Sequence, residues 1–127
     1  YSNEEEKMLS ETRKILDNDK IQVSATAVRV PVMYAHSNTV YAEFEREIDL
    51  QTAASLLSDA PAISFHENSY ITPLGIGSSN DAHVCRLRYG VDKYSLNFWN
   101  VGHNVRIGAA ANAVNILMAH HDINPKS

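Results

Sequence analysis

Arg29 and His36 stand seven residues apart in the segment Ser24-Ala-Thr-Ala-Val-Arg-Val-Pro-Val-Met-Tyr-Ala-His-Ser37. A fixed cation and an imidazole in one extended stretch are the materials for gripping an anion and moving a proton. Arginine offers paired donors to a carboxylate or phosphate, and histidine has the side-chain pKa suited to acid–base work near neutrality. Val28, Val30 and Val32 alternate with Arg29, Pro31 and Met33, the period-two pattern of a strand with one apolar face. Arg29 is therefore expected to point away from the valines, toward an anion or water. Pro31 donates nothing to a ladder and marks an edge, a bulge or a strand end. Because seven is odd, a straight strand would put Arg29 and His36 on opposite faces. A bulge at Pro31 or a turn over 35–38 would bring them together. From the pattern alone, a surface arginine and a turn histidine are the plainer reading.

The elements that must position these groups read as α+β, a mixed sheet with helices packed on one face. Residues 4–16 have helical composition, ended by Asp17-Asn-Asp-Lys20. After the valine strand, a second strand carries Val40, Ala42, Phe44 and Ile48 on one face against Tyr41, Glu43, Glu45 and Glu47 on the other. Asp49 is placed to cap a helix running to about Ser58. Further strands are predicted at 62–66, 83–89 and 95–101, the last two joined by a turn at Gly90-Val-Asp-Lys93. Residues 68–81, with Pro73, Gly75, Gly77 and several serines, read as a surface loop. Asn104 is expected to cap a closing helix over 104–121, whose Ala110, Ala113, Val114 and Leu117 share one face.

Other chemistry-bearing residues have ordinary explanations available. Glu4 and Lys7, like Lys7 and Glu11, lie on one helix face, where i, i+3 and i, i+4 ion pairs would account for them. His120-His121 are adjacent and cannot face one site; their charge suits a helix C-terminus. His66 and His83 lack Cys or carboxylate partners at ligand spacing, so no metal is assigned. Gly75-Ile-Gly77 lacks the third glycine and following helix of a dinucleotide loop. Cys85, beside Arg86 and Arg88, reads as a packed thiol.

Composition excludes several classes. The chain has 127 residues, 44% hydrophobic and 20% charged, with a net charge of −4, an ordinary globular balance with room for a core. The acidic charge argues against a nucleic-acid partner. No apolar run approaches the roughly 20 residues a membrane span needs. A single cysteine forms no internal disulfide, which points to a reducing cytoplasm. A start at Tyr1 rather than Met suggests a piece of a longer protein, with 1–127 read as one domain of it.

With those residues in view, the chain resembles the aspartate-β-semialdehyde dehydrogenases. The likeness is carried by Glu4-Glu-Glu-Lys-Met8, Glu11-Thr-Arg-Lys14, the segment Ser24 to Ser37, Val40-Tyr-Ala-Glu-Phe44, Cys85-Arg-Leu-Arg88 and Asn104-Val-Arg-Ile-Gly-Ala-Ala-Ala-Asn-Ala-Val114. Departures are local: Ala27 stands where many members have Cys, Met33-Tyr-Ala35 fills a variable spot, and Gly102-His103 replaces the more usual Ser-Asp. The blocks correspond to the second half of that enzyme, its substrate-binding and dimerisation domain. The resemblance implies a fold like the C-terminal domain of glyceraldehyde-3-phosphate dehydrogenase and a homodimer. The implied reaction is NADPH-dependent reductive dephosphorylation of β-aspartyl phosphate to aspartate semialdehyde, toward lysine, methionine and threonine. It also implies roles: His36 for proton transfer, Arg29 for the substrate carboxylate, Glu4 for its ammonium group, Lys7 for substrate or phosphate, and Asn104 for the nicotinamide or phosphate end of NADP. Glu5 is the neighbour that a one-residue register error would exchange with Glu4. The nucleophilic cysteine and the NADP-binding domain belong to the part not represented, so the chain by itself is expected to be inactive. A non-catalytic dimerisation or binding module of the same fold is the alternative. The related N-acetyl-glutamyl-phosphate reductases fit the Arg-Val-Pro-Val block less well.

Overall fold

The computed structural model describes residues 1–121; residues 122–127, the end of the 1–127 span read as one domain, lie outside the described residues. The chain divides into two compact units, Tyr1–Pro31 and Val32–Ser127.

The first unit is built on helix α1, Asn3–Ile15. Ser2 caps it: Glu5 N donates to Ser2 Oγ at 3.4 Å, while the Glu5 carboxylate accepts from Ser2 N at 2.7 Å, a reciprocal capping box. Glu4, Glu5 and Glu6 in the first turn and Arg13 and Lys14 in the last suit the helix dipole. Asp17, in the left-handed region at φ 48°, turns the chain, and Arg13 Nε donates to the Ile21 carbonyl at 2.9 Å. The strand expected at 28–33 is not formed. Residues 21–30 are irregular, and Val28 and Val30 are 75% and 54% exposed. A strand exists by pairing with a neighbour, and among the described residues no other strand pairs with this one.

The second unit holds a four-stranded mixed sheet in the order β1-β4-β3-β2, from strands β1 (His36–Glu43), β2 (Ile63–His66), β3 (Ala82–Tyr89) and β4 (Ser95–Gly102). β1/β4 and β4/β3 are antiparallel, and β2/β3 is parallel. Helix α2, Leu50–Asp59, packs on β2 and β3; its cap is Asp49, whose Oδ2 accepts from Thr52 N at 2.8 Å, as the sequence indicates. In β1, Val40 and Ala42 are part-buried while Tyr41 and Glu43 are exposed. The strand stops at Glu43, short of the expected run to Ile48. Beyond it, Phe44 N and Ile48 N donate to Tyr94 O and Lys93 O across the mouth of the β3–β4 turn, and Phe44 is 43% exposed.

β3 carries a bulge between Cys85 and Arg88, with Arg86 at φ 59°. The 68–81 segment is irregular as expected, yet not wholly superficial. Ile76 is 6% exposed and packs with Ala35 and Val101, with Ile71 and Trp99 around them, and Trp99 Nε1 donates to the Ile71 carbonyl at 3.0 Å. Cys85 is fully buried, a packed thiol.

The closing helix differs from expectation in its start and in its exposed side. Asn104 is not its cap. A single π turn, Arg106–Ala110, begins it after Val105, and α3 follows over Ala111–His120. The first amides are satisfied by backbone, Arg106 N and Gly108 N both donating to His103 O. The face of Ala110, Ala113, Val114 and Leu117 is exposed, Val114 and Leu117 at 53% and 55%. Ala111, Asn115 and Met118 take the half-buried side instead, because spacing says which residues share a face but not what covers it.

Candidate functional site

Glu4 and Lys7 project from the first turns of α1, both exposed. Glu5, between them, is half-buried and fully engaged: besides its bonds to Ser2, its Oε1 accepts the Ala27 amide at 2.9 Å. The Ser2 amide, then the Ala27 amide, then the Ser2 hydroxyl hold its carboxyl below the ordinary carboxylate value. The one-residue ambiguity between Glu4 and Glu5 thus acquires a structural asymmetry, since Glu5 organises the unit and Glu4 is left to solvent. The same Glu5 bond fastens the chain two residues before Arg29 to the turn that carries Glu4. Arg29 itself is exposed on irregular backbone.

His36 and Asn104 belong to the second unit. His36 is the first residue of β1, paired with Gly102, so no side chain from β4 stands directly across from its imidazole. The residue before it, Ala35, has φ 77° and is 5% exposed. Its amide donates to Asn104 Oδ1 at 3.1 Å. Next to this turn the Tyr34 ring stacks on His103, centroids 5.5 Å apart and planes 23° from parallel. The turn expected over 35–38 is not formed, because residues 36–38 already pair with β4. The chain bends at Met33 and Tyr34 and passes through a left-handed Ala35, and Asn104, read as a helix cap, gives its oxygen to Ala35.

Two features escaped the sequence. His66 Nε2 and His83 Nδ1 lie 2.9 Å apart with their rings stacked, because the parallel pairing sets Ser64 beside His83 and His66 beside Cys85. Burial, then the neighbouring His66, pushes the His83 pKa below its ordinary value, with Asp81 acting the other way. Asp81 is itself held by Ser64 Oγ at 2.8 Å. His83 Nε2 is buried without a partner among the described residues. No spacing rule would have paired these histidines, since their contact depends on which strands become neighbours. The second is a depression of about 320 Å³ lined by Glu67, Tyr70, Arg86 and Arg88 among others, with the Arg86 guanidinium 5.6 Å from the Tyr70 ring centre. It contains none of Glu4, Lys7, Arg29, His36 or Asn104. Among the described residues, no group of three or more His, Cys, Asp or Glu side chains is arranged to hold a metal.

The sheet order and these positions meet the comparisons with known proteins. The chain belongs to the semialdehyde dehydrogenase dimerisation-domain family, whose model matches residues 1–107. Among its relatives are the aspartate-semialdehyde dehydrogenases of Campylobacter jejuni, 42% identical over 99% of this chain, and of Aquifex aeolicus, 41% identical over 91%. The chain spans 38% and 36% of their respective lengths, little more than a third. Among solved structures, aspartate semialdehyde dehydrogenase II of Vibrio cholerae, complexed with ASA, superposes with a TM-score of 0.88 at 35% identity, covering 94% of this chain and 37% of that one. The α+β sheet with its helices is thus the fold of that family, and its description as a dimerisation domain agrees with an oligomeric protein. No helix among the described residues is long and apolar enough to cross a membrane.

Proposed function

We propose that these 127 residues are the substrate-binding and dimerisation part of a cytoplasmic, homodimeric aspartate-semialdehyde dehydrogenase, which makes aspartate semialdehyde from β-aspartyl phosphate. The observation that carries this reading is the 42% identity with such an enzyme across 99% of the chain. In this reading the nucleophilic cysteine and most of the NADP site lie in a partner domain, and the chain alone turns nothing over. NADPH, when bound, supplies the hydride.

The side chains of this chain orient the substrate and move protons. Arg29 grips the substrate α-carboxylate through two parallel hydrogen bonds, and Glu4 takes the ammonium group. Together they fix the reacting carbon against the thiol, the kind of positioning that lowers a barrier without new chemistry. Lys7 offers its charge to the substrate or the phosphate. His36 accepts the thiol proton as attack begins and returns it as the adduct collapses. Asn104 has its Oδ1 committed to Ala35; its Nδ2 amide serves the nicotinamide or phosphate end of the cofactor.

Steady-state kinetics on the full-length protein test this. His36→Ala lowers kcat by about 10²-fold or more with little change in KM, because acid–base assistance acts in the transition state. Arg29→Lys acts mainly on substrate KM and positioning, since lysine keeps the charge and loses the planar grip. If both folded variants retain wild-type kcat/KM, the assignment is wrong, and the alternative of a non-catalytic module of the same fold takes its place.

A further inference from the structure

We propose that Asn104 is a positioning residue for His36, acting through Ala35; the inference rests on the proton-transfer role given to His36 above. Ala35 occupies the left-handed region at φ 77°, which L-residues other than glycine adopt reluctantly because Cβ crowds the following carbonyl. Such a conformation persists only where its surroundings over-determine it, and it concentrates at functional sites.

Here the over-determination can be read residue by residue. The Ala35 amide is held by Asn104 Oδ1 at 3.1 Å. The Ala35 methyl is buried with Ile76 and Val101, so it is gripped on its side-chain face as well. One residue earlier, the Tyr34 ring lies on His103, which is 8% exposed and whose Nδ1 accepts from Val105 N at 3.4 Å. One residue later, His36 enters the β1–β4 ladder opposite Gly102. The backbone on both sides of the elbow is thereby fixed, and the imidazole projects from it into solvent with a glycine across the ladder.

Asn104 is the part of this arrangement that comes from far along the chain, 69 residues beyond Ala35. It sits between β4 and the π turn, so the entry to the last helix and the aim of His36 are joined by one side-chain oxygen. Its two polar atoms have separate duties: Oδ1 sets the elbow, and Nδ2 faces the cofactor in the reading above. Asn104→Asp keeps an acceptor oxygen and loses the amide donor; Asn104→Ala loses both. That difference separates the two duties.

Two measurements test the proposal. In the 127-residue chain, hydrogen exchange of the Ala35 amide speeds up at least tenfold in Asn104→Ala and stays near wild type in Asn104→Asp, with sheet amides such as Val84 unchanged in both. In the full-length protein, kcat falls roughly 10- to 100-fold in Asn104→Ala, the scale expected when a reacting group is misplaced by about 1 Å, while the KM for NADP rises in both variants through the lost amide donor. Unchanged Ala35 exchange in Asn104→Ala overturns the proposal. So does an unchanged kcat in Asn104→Ala beside an impaired His36→Ala enzyme, and then the proton-transfer reading stands. A His36→Ala enzyme with wild-type kcat overturns that reading and this proposal with it.

Discussion

Val101→Ala tests whether the small apolar cluster beneath the elbow holds the second unit together. Val101 is fully buried, sits on β4 with Ser37 of β1 and His83 of β3 on either side, and packs with Ala35 and Ile76. Truncation removes two carbon groups, about 1.6 kcal/mol at roughly 0.8 kcal/mol each. A void of about 40 Å³ left in a wall of Ile76, Ile71 and Trp99 adds roughly 1 kcal/mol at about 24 cal/mol per Å³. The expected loss is therefore about 2.5 kcal/mol, which lowers the urea midpoint by about 1 to 1.5 M at a slope near 2 kcal/mol/M. Urea melts of the 127-residue chain measure it, with Val91→Ala as the control, because Val91 is 84% exposed. A loss no greater than that control, within about 0.5 kcal/mol, would refute the cluster as the core of this unit.

Gly90→Ala is expected to destabilise the β3–β4 turn by about 1–3 kcal/mol, because an added Cβ would lie 2.5 Å from Ser95 Oγ and 2.6 Å from Tyr41 Cε2; an unchanged urea midpoint would contradict so close an approach. The His83 pKa is held below its ordinary 6.5 by burial and His66, so the unfolded chain binds the proton more readily than the folded one. That contribution to stability is complete above about pH 6.5 and is lost as the pH falls through the folded value, and urea melts between pH 8 and 5 should show the decline flattened in His83→Gln. Glu5 and Asp49, whose carboxyls are lowered from ordinary values of 4.5 and 3.8, lose their contributions only further into acid.

What was legible in the sequence was local. Asp49 announces α2 because an N-cap acts on amides three residues away. Gly90-Val-Asp-Lys93 announces its hairpin, and Val40 and Ala42 their buried side, for similar short-range reasons. Ser2 and Glu5 had the spacing of a capping box, the signal that would have shown Glu5 to be engaged and Glu4 free. What stayed hidden depended on distant partners. The valines of 28–32 alternate like a strand, but alternation supplies no neighbour to pair with. Asn104 has the chemistry of a cap, and nothing near it in sequence reveals that an amide 69 residues earlier takes its oxygen. Arg29 and His36 drew attention by type and spacing, but only the resemblance gave them roles; Glu4, Lys7 and Asn104 were singled out by resemblance, since ion pairs and a cap would have explained each of them.

The uncovered face of α3 bears on how the chain behaves as a reagent. Val114, Ile116 and Leu117 are each more than half exposed on a helix that carries no lysine, arginine, aspartate or glutamate, and contiguous apolar surface of this kind drives adhesion without specificity. Colloidal behaviour of the purified 127 residues should therefore carry a greasy attraction along this helix, read by light scattering. A polar replacement such as Leu117→Gln should weaken it, and scattering left unchanged in that variant would place the adhesion elsewhere.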